Sequence, residues 1–415
     1  MAQRIGGQTG RWGVARPIVA YAQPSEPGAP TTLRAPALTP PLPTPDAPVG
    51  PHRSGGPRPP TRGPKPTTTT GRFWRIVRRT LAVALVLGLL AAVALGYIIW
   101  RLSATVTSYP GAHFNQGRNA VWLEHEWAGQ PHTSAEYDQL AAQLQREQIT
   151  YVYAHVGPLD SNGTIPYSLA PNAQTFAAAM HARLPNLRVL AWIGQLEAAS
   201  GQPVDQVVNL ASASVRAQIA QTSARFVAEG FDGVHYDIEP IRNNDPDFIS
   251  LLTETRAVLP AGAMVSISGE KWAPSARVAA LFYHEGRAGA WWTSYFYAAV
   301  AAHVDQIAVM TYDSGMPTAG AYQLFVKEET SHVLDAALAA KHPPQVLIGA
   351  PTYTGDSLWF HASAENMSSA LAGVTAGLNS DTQTQPFVGV AVYRYGVTTD
   401  ADWSTYDQLW LGQRS

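Results

Sequence analysis

FDGVHYDIEP, residues 231 to 240, is the stretch from which the rest of the chain is read. It sets Asp232, His235, Asp237 and Glu239 between a helical run (Ser212 to Gly230) and an Asn/Asp/Pro loop (Arg242 to Pro246). Read as a buried strand, it alternates faces, so His235, Asp237 and Glu239 point the same way. The two carboxylates then sit about 6–7 Å apart at Cβ. Like charges that close resist joint ionisation, so one carboxyl keeps a proton near neutral pH. A protonated carboxyl beside an ionised one is what glycosidic bond cleavage requires. At this point an acidic cluster that binds a loop or a metal explains the stretch equally well.

Working outward, seven further apolar runs share the character of 232–239. They are 121–127, 149–156, 187–194, 263–270, 305–313, 345–353 and 387–395. Amphipathic segments such as 134–148 and 176–184 lie between most of them. Eight β-rich runs alternating with helices over roughly 300 residues predict an α/β fold, the (β/α)8 TIM barrel. A doubly wound open sheet is the alternative, but no glycine-rich phosphate turn follows the first run. In such a barrel the site lies at the C-terminal ends of the strands. Glu239 ends the fourth run, and Tyr312 and Asp313 end the sixth, so they share that face.

The N-terminal part is a different material. Of the 32 prolines, 16 precede residue 67. Residues 1–101 hold 13 of the 28 Lys and Arg, but only Glu26 and Asp46 of the 30 acids. The remainder is therefore acidic, which argues against nucleic acid as a partner. Residues 1–72 are expected to be a disordered, Pro/Arg-rich cytoplasmic tail. Within it PALTPPLPTP (36–45) favours polyproline II, suited to a cytoplasmic partner domain or to a solvated spacer.

Thr80 to Trp100 has no charged residue, long enough for a helix to cross about 30 Å of hydrocarbon. Arg72, Arg75, Arg78 and Arg79 flank its start, while Tyr97 and Trp100 suit the far interface. The basic flank predicts a single-pass cell-membrane anchor over 73–101, with the N-terminus cytoplasmic. A linker (102–118) and an extracytoplasmic barrel (119–415) follow. A cleaved signal peptide is the alternative, with Ser103-Ala104 as a weak cleavage site. Absence of cysteine removes disulfides and thiolate chemistry. No cofactor motif is found, and no H-x-H or H-E-x-x-H metal spacing.

The chain resembles glycoside hydrolase family 18, the chitinases and endo-β-N-acetylglucosaminidases. Its strand-four signature D-G-x-D-x-D-x-E is matched by Asp232-Gly233-Val234-His235-Tyr236-Asp237-Ile238-Glu239. A second element, M-x-Y-D, is matched by Met310-Thr311-Tyr312-Asp313. The resemblance implies that Glu239 protonates the leaving oxygen and that Asp237 orients the substrate's N-acetyl group. By the same resemblance Tyr312 bonds the acetyl oxygen, and Asp232, His235 and Asp313 support the site. Three positions depart from the pattern. His235 replaces the middle aspartate, Trp192-Ile193-Gly194-Gln195 stands for S-x-G-G, and Tyr393 takes the place of a strand-eight tryptophan. A neutral His235 is expected to donate to Asp237, and a protonated one to neutralise it.

The implied substrate is an oligo- or polysaccharide containing N-acetylhexosamine, with Trp272, Tyr353, Tyr393 and Met310 as its contacts. Trp122, Trp127, Trp192, Trp291, Trp292, Trp359 and Trp403 could line a cleft too, but core packing is their expected role. Two other functions stay open. One is a non-catalytic sugar-binding barrel; the other is a metal-dependent hydrolase built on His235, Asp237 and His155.

Overall fold

The computed structural model describes residues 69–103, 111–197, 207–283, 289–355, 357, 360–380 and 383–412. The proline-rich tail before Thr69, part of the expected linker and Trp359 lie outside the described residues. Helix α1 runs from Thr69 to Ser103. Within it Val77–Tyr97 has a mean hydropathy of 2.3, long and apolar enough to cross a membrane.

After a single 3-10 turn, the chain runs through β1 (Asn119–Leu123), α2 (Glu126–Gly129), α3 (Ser134–Arg146), β2 (Ile149–Pro158), α4 (Ala173–Arg183) and β3 (Arg188–Glu197). It continues as β4 (Val207–Val208), α5 (Ala213–Ala228), β5 (Gly233–Glu239), α6 (Pro246–Val258) and β6 (Met264–Gly269). Then come β7 (Lys271–Ala273), α7 (Ala276–Phe282), β8 (Trp291–Thr293), α8 (Ser294–Ala301) and β9 (Gln306–Val309). The last elements are α9 (Ala319–Ala337), β10 (Gln345–Pro351), α10 (Met367–Ser380), β11 (Phe387–Tyr393) and α11 (Asp400–Tyr406).

Eight parallel strands, β1-β2-β3-β5-β6-β9-β10-β11, close on themselves through the β11–β1 pairing. This is a (β/α)8 TIM barrel. The eight runs read from the sequence are its eight strands. Two ends differ: the first run turns after Leu123 into α2, and the sixth leaves the sheet after Val309. Tyr312 and Asp313 thus stand on the loop beyond β9, and Asp313 takes a left-handed φ of 53°. The β7–β8 pair with α7 is a small excursion between β6 and α8. Its three-residue strands are too short for periodicity to reveal.

The alternation of strand side chains splits the core into two layers. Inside the barrel lie Trp122, Tyr151, Tyr153, Leu190, Trp192, Met310, Tyr312 and Tyr393. Between barrel and helices lies a larger layer that includes Val234, Tyr236 and Ile238 of β5. Gly233 opens β5 because a Cβ there would meet the Met264 carbonyl oxygen at 2.1 Å. Helix starts are set locally. Thr133 and Glu136 form a capping box on α3, and Asp245 with Pro246 begins α6.

Candidate active site

Because Val234, Tyr236 and Ile238 fill the outer layer, His235, Asp237 and Glu239 face the barrel interior. Glu239 is the last residue of β5, at the C-terminal mouth where loops gather. Asp237 is one pleat deeper, and its Oδ2 accepts a hydrogen bond from Trp192 Nε1 at 2.9 Å. Its other oxygen is buried with no hydrogen-bond partner among the described residues.

The electrostatics separate the two carboxyls. Burial pushes Asp237 up, while the Ser268 hydroxyl, the Trp192 indole and the Glu239 carboxyl draw it back. Glu239 stands well above the ordinary range, through burial first and then the charges of Asp237 and Glu270, with Lys271 opposing them. Of the two, Glu239 is the one held more strongly toward its protonated form.

His235 has a different role from the one expected. Trp122 Nε1–H donates to its Nε2 at 3.1 Å, and an indole nitrogen can only donate. The ring proton is therefore on Nδ1, 2.8 Å from Ser266 Oγ, and Ser266 in turn donates to Gln306 Oε1. Tyr153 stacks on the ring at 3.8 Å. Full burial pushes the imidazole pKa well down, so it is neutral. Among the described residues it bonds Trp122, Ser266 and Ser268, and not Asp237. The expected donation to Asp237 is corrected accordingly: the ring spans the barrel toward β1 and β6, and in its neutral state it does not neutralise Asp237.

Asp232 is also corrected. It precedes β5, seven residues before Glu239, or about 23 Å along an extended strand. There it accepts from His181 Nε2 (2.8 Å), the Val189 amide (2.8 Å) and Arg188 (2.9 Å). It ties the barrel's opposite end together.

The aromatic wall is assembled from three strand ends. Tyr312 stacks on Tyr393 with ring centroids 4.7 Å apart, and Tyr353 meets Tyr312 edge-on at 6.0 Å. Gly349 makes room: a Cβ there would stand 3.1 Å from the Tyr312 ring. Tyr393 also presents its edge to Trp122 at 5.4 Å and to Trp192 at 6.4 Å. Tyr353 donates its hydroxyl proton to Asp313 at 2.7 Å. Burial keeps Tyr312 and Tyr393 protonated, with pKa values well above the usual tyrosine value. Met310 belongs to the same inner layer.

Trp272 stands apart. Its ring stacks on His332 of α9 at 3.7 Å, and its indole N–H bonds Ser294 of α8. Trp127, Trp292 and Trp403 are in the outer core, as packing residues. His155 ends up 4.6 Å from the Trp192 ring and is neutral, burial pushing its pKa to about 3. Among the described residues no three His, Asp or Glu side chains converge as a metal-binding group.

Trp192 bonds Asp237, while Ser268 draws Asp237 down and Lys271 draws Glu239 down, three roles not expected from the sequence. For Trp192 the signal was its inward parity with Leu190; for Lys271 it was a charge immediately after an apolar run.

Residues 125–410 match the family model described as "Glycosyl hydrolases family 18". No curated protein matches the chain. Among solved structures the chain is similar to a chitinase from Bacteroides thetaiotaomicron, at 11% identity over 72% of this chain and 98% of that one, with a TM-score of 0.49. It is similar to the Bacillus cereus spore cortex-lytic enzyme SleL, at 15% identity over 71% and 74%, TM-score 0.47. A GH18 chitinase from Cycas revoluta in complex with (GlcNAc)3 gives 15% identity over 71% and 99%, TM-score 0.44.

Proposed function

The chain belongs to glycosyl hydrolase family 18 and is a glycosidase, and on that premise we propose that it cleaves β-linked N-acetylhexosamine glycans outside the cell membrane with retention of configuration. The observation that carries this reading is the placement of Asp237 and Glu239 on the inward face of β5, with Glu239 at its C-terminal end and Trp192 bonded to Asp237. Glu239 delivers its proton to the glycosidic oxygen as the C1–O bond breaks. The substrate's acetamido oxygen forms the new bond to C1, as in the substrate-assisted exceptions to the two-carboxylate schemes. Asp237, held by the Trp192 N–H, orients the acetamido N–H and offsets its positive charge. Tyr312, protonated by virtue of burial, donates to the acetamido oxygen. Water then attacks C1 as the bond to the acetamido oxygen breaks, and it gives up a proton to the Glu239 carboxylate, which restores the starting state.

Tyr393, Tyr353 and Met310 form the wall against which the sugar's C–H faces pack. Asp313 supports that wall through Tyr353. The helix over Val77–Tyr97, preceded by arginines, supports a single-pass anchor with the barrel outside. Chitin-like polymers, peptidoglycan and other surface polysaccharides are the substrate classes to compare.

The test uses the full chain in detergent, wild type beside Glu239→Gln, incubated with N-acetylglucosamine oligomers and with purified peptidoglycan. Products are read by mass and by the anomer first formed. Wild type is expected to cleave one of the two with retention, and Glu239→Gln to lose about 100-fold or more in turnover. Binding without cleavage by either protein would instead assign a non-catalytic sugar-binding barrel.

A further inference from the structure

His155 is the last inward residue of β2. Tyr151 and Tyr153 of that strand fill the barrel interior, so alternation turns His155 the same way, one pleat nearer the mouth. The strand bulges immediately beyond it: His155 pairs with Trp192 and Gly157 with Ile193, which leaves Val156 without a partner on β3. A bulge beside a site re-aims a side chain and ends regular pairing. Gly157 completes this one at a φ of 119°, which glycine adopts freely.

The His155 ring is held from two sides. Trp192, the donor to Asp237, lies 4.6 Å away. His125 stands edge-on at 5.2 Å, and its Nδ1–H donates to the His155 carbonyl at 3.0 Å. Neither ring nitrogen of His155 has a hydrogen-bond partner among the described residues, and Nε2 is buried. His235, deeper in the same interior, has both of its nitrogens bonded. A buried polar atom left unpaired costs stability, so it calls for a use. A second such atom lies on the next strand. Leu123 pairs with Ala154, so Glu124 and His155 follow side by side. Glu124 Oε1 accepts from Arg394 (2.8 Å) and the Gly396 amide (2.7 Å), while its Oε2 is buried without a partner among the described residues. Around the mouth, β1 and β2 lie between β11, which carries Tyr393, and β3, which carries Trp192.

We propose that His155 is a specificity-determining residue which, with Glu124 beside it, hydrogen-bonds hydroxyl groups of the sugar held between Tyr393 and Asp237. The inference rests on the reading of Asp237 and Glu239 as the place of hydrolysis. A hydroxyl both donates and accepts, so it satisfies an imidazole nitrogen of either tautomer and a carboxyl oxygen as well. The C–H faces of a sugar satisfy neither, and those are left to the tyrosines. With no bond to break, the ring turns at little cost to meet its partner. Being neutral, it adds no charge beside Asp237.

The test measures binding to the full chain in detergent, carrying Glu239→Gln so that ligand is not consumed, with and without His155→Phe. The ligands are the N-acetylglucosamine trimer and a panel of trimers that each lack one hydroxyl. Phenylalanine keeps a ring against Trp192 and removes both nitrogens. His155→Phe is expected to weaken binding of the parent trimer about tenfold, the size of one hydrogen bond. One deoxy trimer is expected to bind Glu239→Gln about tenfold more weakly than the parent, and to lose nothing further with His155→Phe. Equal affinity with and without His155→Phe overturns the proposal, as do losses that multiply for every member of the panel. With Glu239 intact, His155→Phe is expected to raise KM and leave the acidic limb of the pH–rate profile in place. A moved limb at constant KM would make His155 a support for Trp192 and overturn the proposal. If His155→Phe does not fold, His155→Ala takes its place in the same comparison. Should Glu239→Gln bind no trimer, the proposal falls. The reading of the site is judged separately, by whether wild type cleaves either polymer and Glu239→Gln does not.

Discussion

The indole of Trp192 gives the buried Asp237 a donor, 2.9 Å from its Oδ2. A hydrogen bond to a carboxylate contributes about 1.5–3 kcal/mol, and it favours the ionised form. Trp192→Phe keeps an aromatic ring but removes the N–H, so the Asp237 carboxyl rises further above its ordinary value. Since the proposed chemistry needs Asp237 ionised, the acidic limb of the pH–rate profile should move up by about one unit. An unchanged acidic limb would separate Trp192 from the chemistry and leave it a packing residue. His235 shows the opposite case, a polar side chain whose bonds are all satisfied within the barrel floor. Its identity was legible in the sequence as a departure from the family pattern. Its partners were not, since Trp122 and Ser266 come from β1 and β6.

At the scale of single elements, β5 has two ends with separate duties. Glu239 closes the end that faces the mouth, and Asp232 anchors the other to β3 and α4. Asp232→Ala removes the acceptor for three donors, two of them on side chains able to carry charge. It should cost roughly 2–4 kcal/mol in denaturant unfolding, with turnover per folded molecule unchanged. Loss of turnover at full stability would return Asp232 to the site. The alternating pattern of β5 made its inward face readable, because a period of two is a property of the strand itself. The β7–β8 excursion was not readable: no pattern can be counted over three residues.

For the whole molecule, the charge buried around the mouth makes stability depend on pH. Burial raises Glu329 to about 8, against an ordinary value of 4.5. The folded state therefore binds a proton that the unfolded state has released, and stability falls as pH rises between those values. The contribution is full below about 4.5 and lost through about 8. Glu329→Gln keeps an oxygen for the Trp272 amide and removes the titration. The fall in Tm of the full chain from pH 5 to pH 8 should become shallower, and parallel curves would refute this. The sequence by itself determined the eight-strand barrel, the inward set of His235, Asp237 and Glu239, and the apolar helix that precedes them. Each of these is a local regularity, of period two, of period 3.6 or of uninterrupted hydropathy, which the chain carries whatever it packs against. Only the tertiary structure decided which groups meet. Trp192 and Asp237 are 45 residues apart, and Trp122 and His235 are 113 apart. Such contacts follow from closing the barrel, which joins β11 to β1 and brings the side chains of distant strands into one water-poor interior.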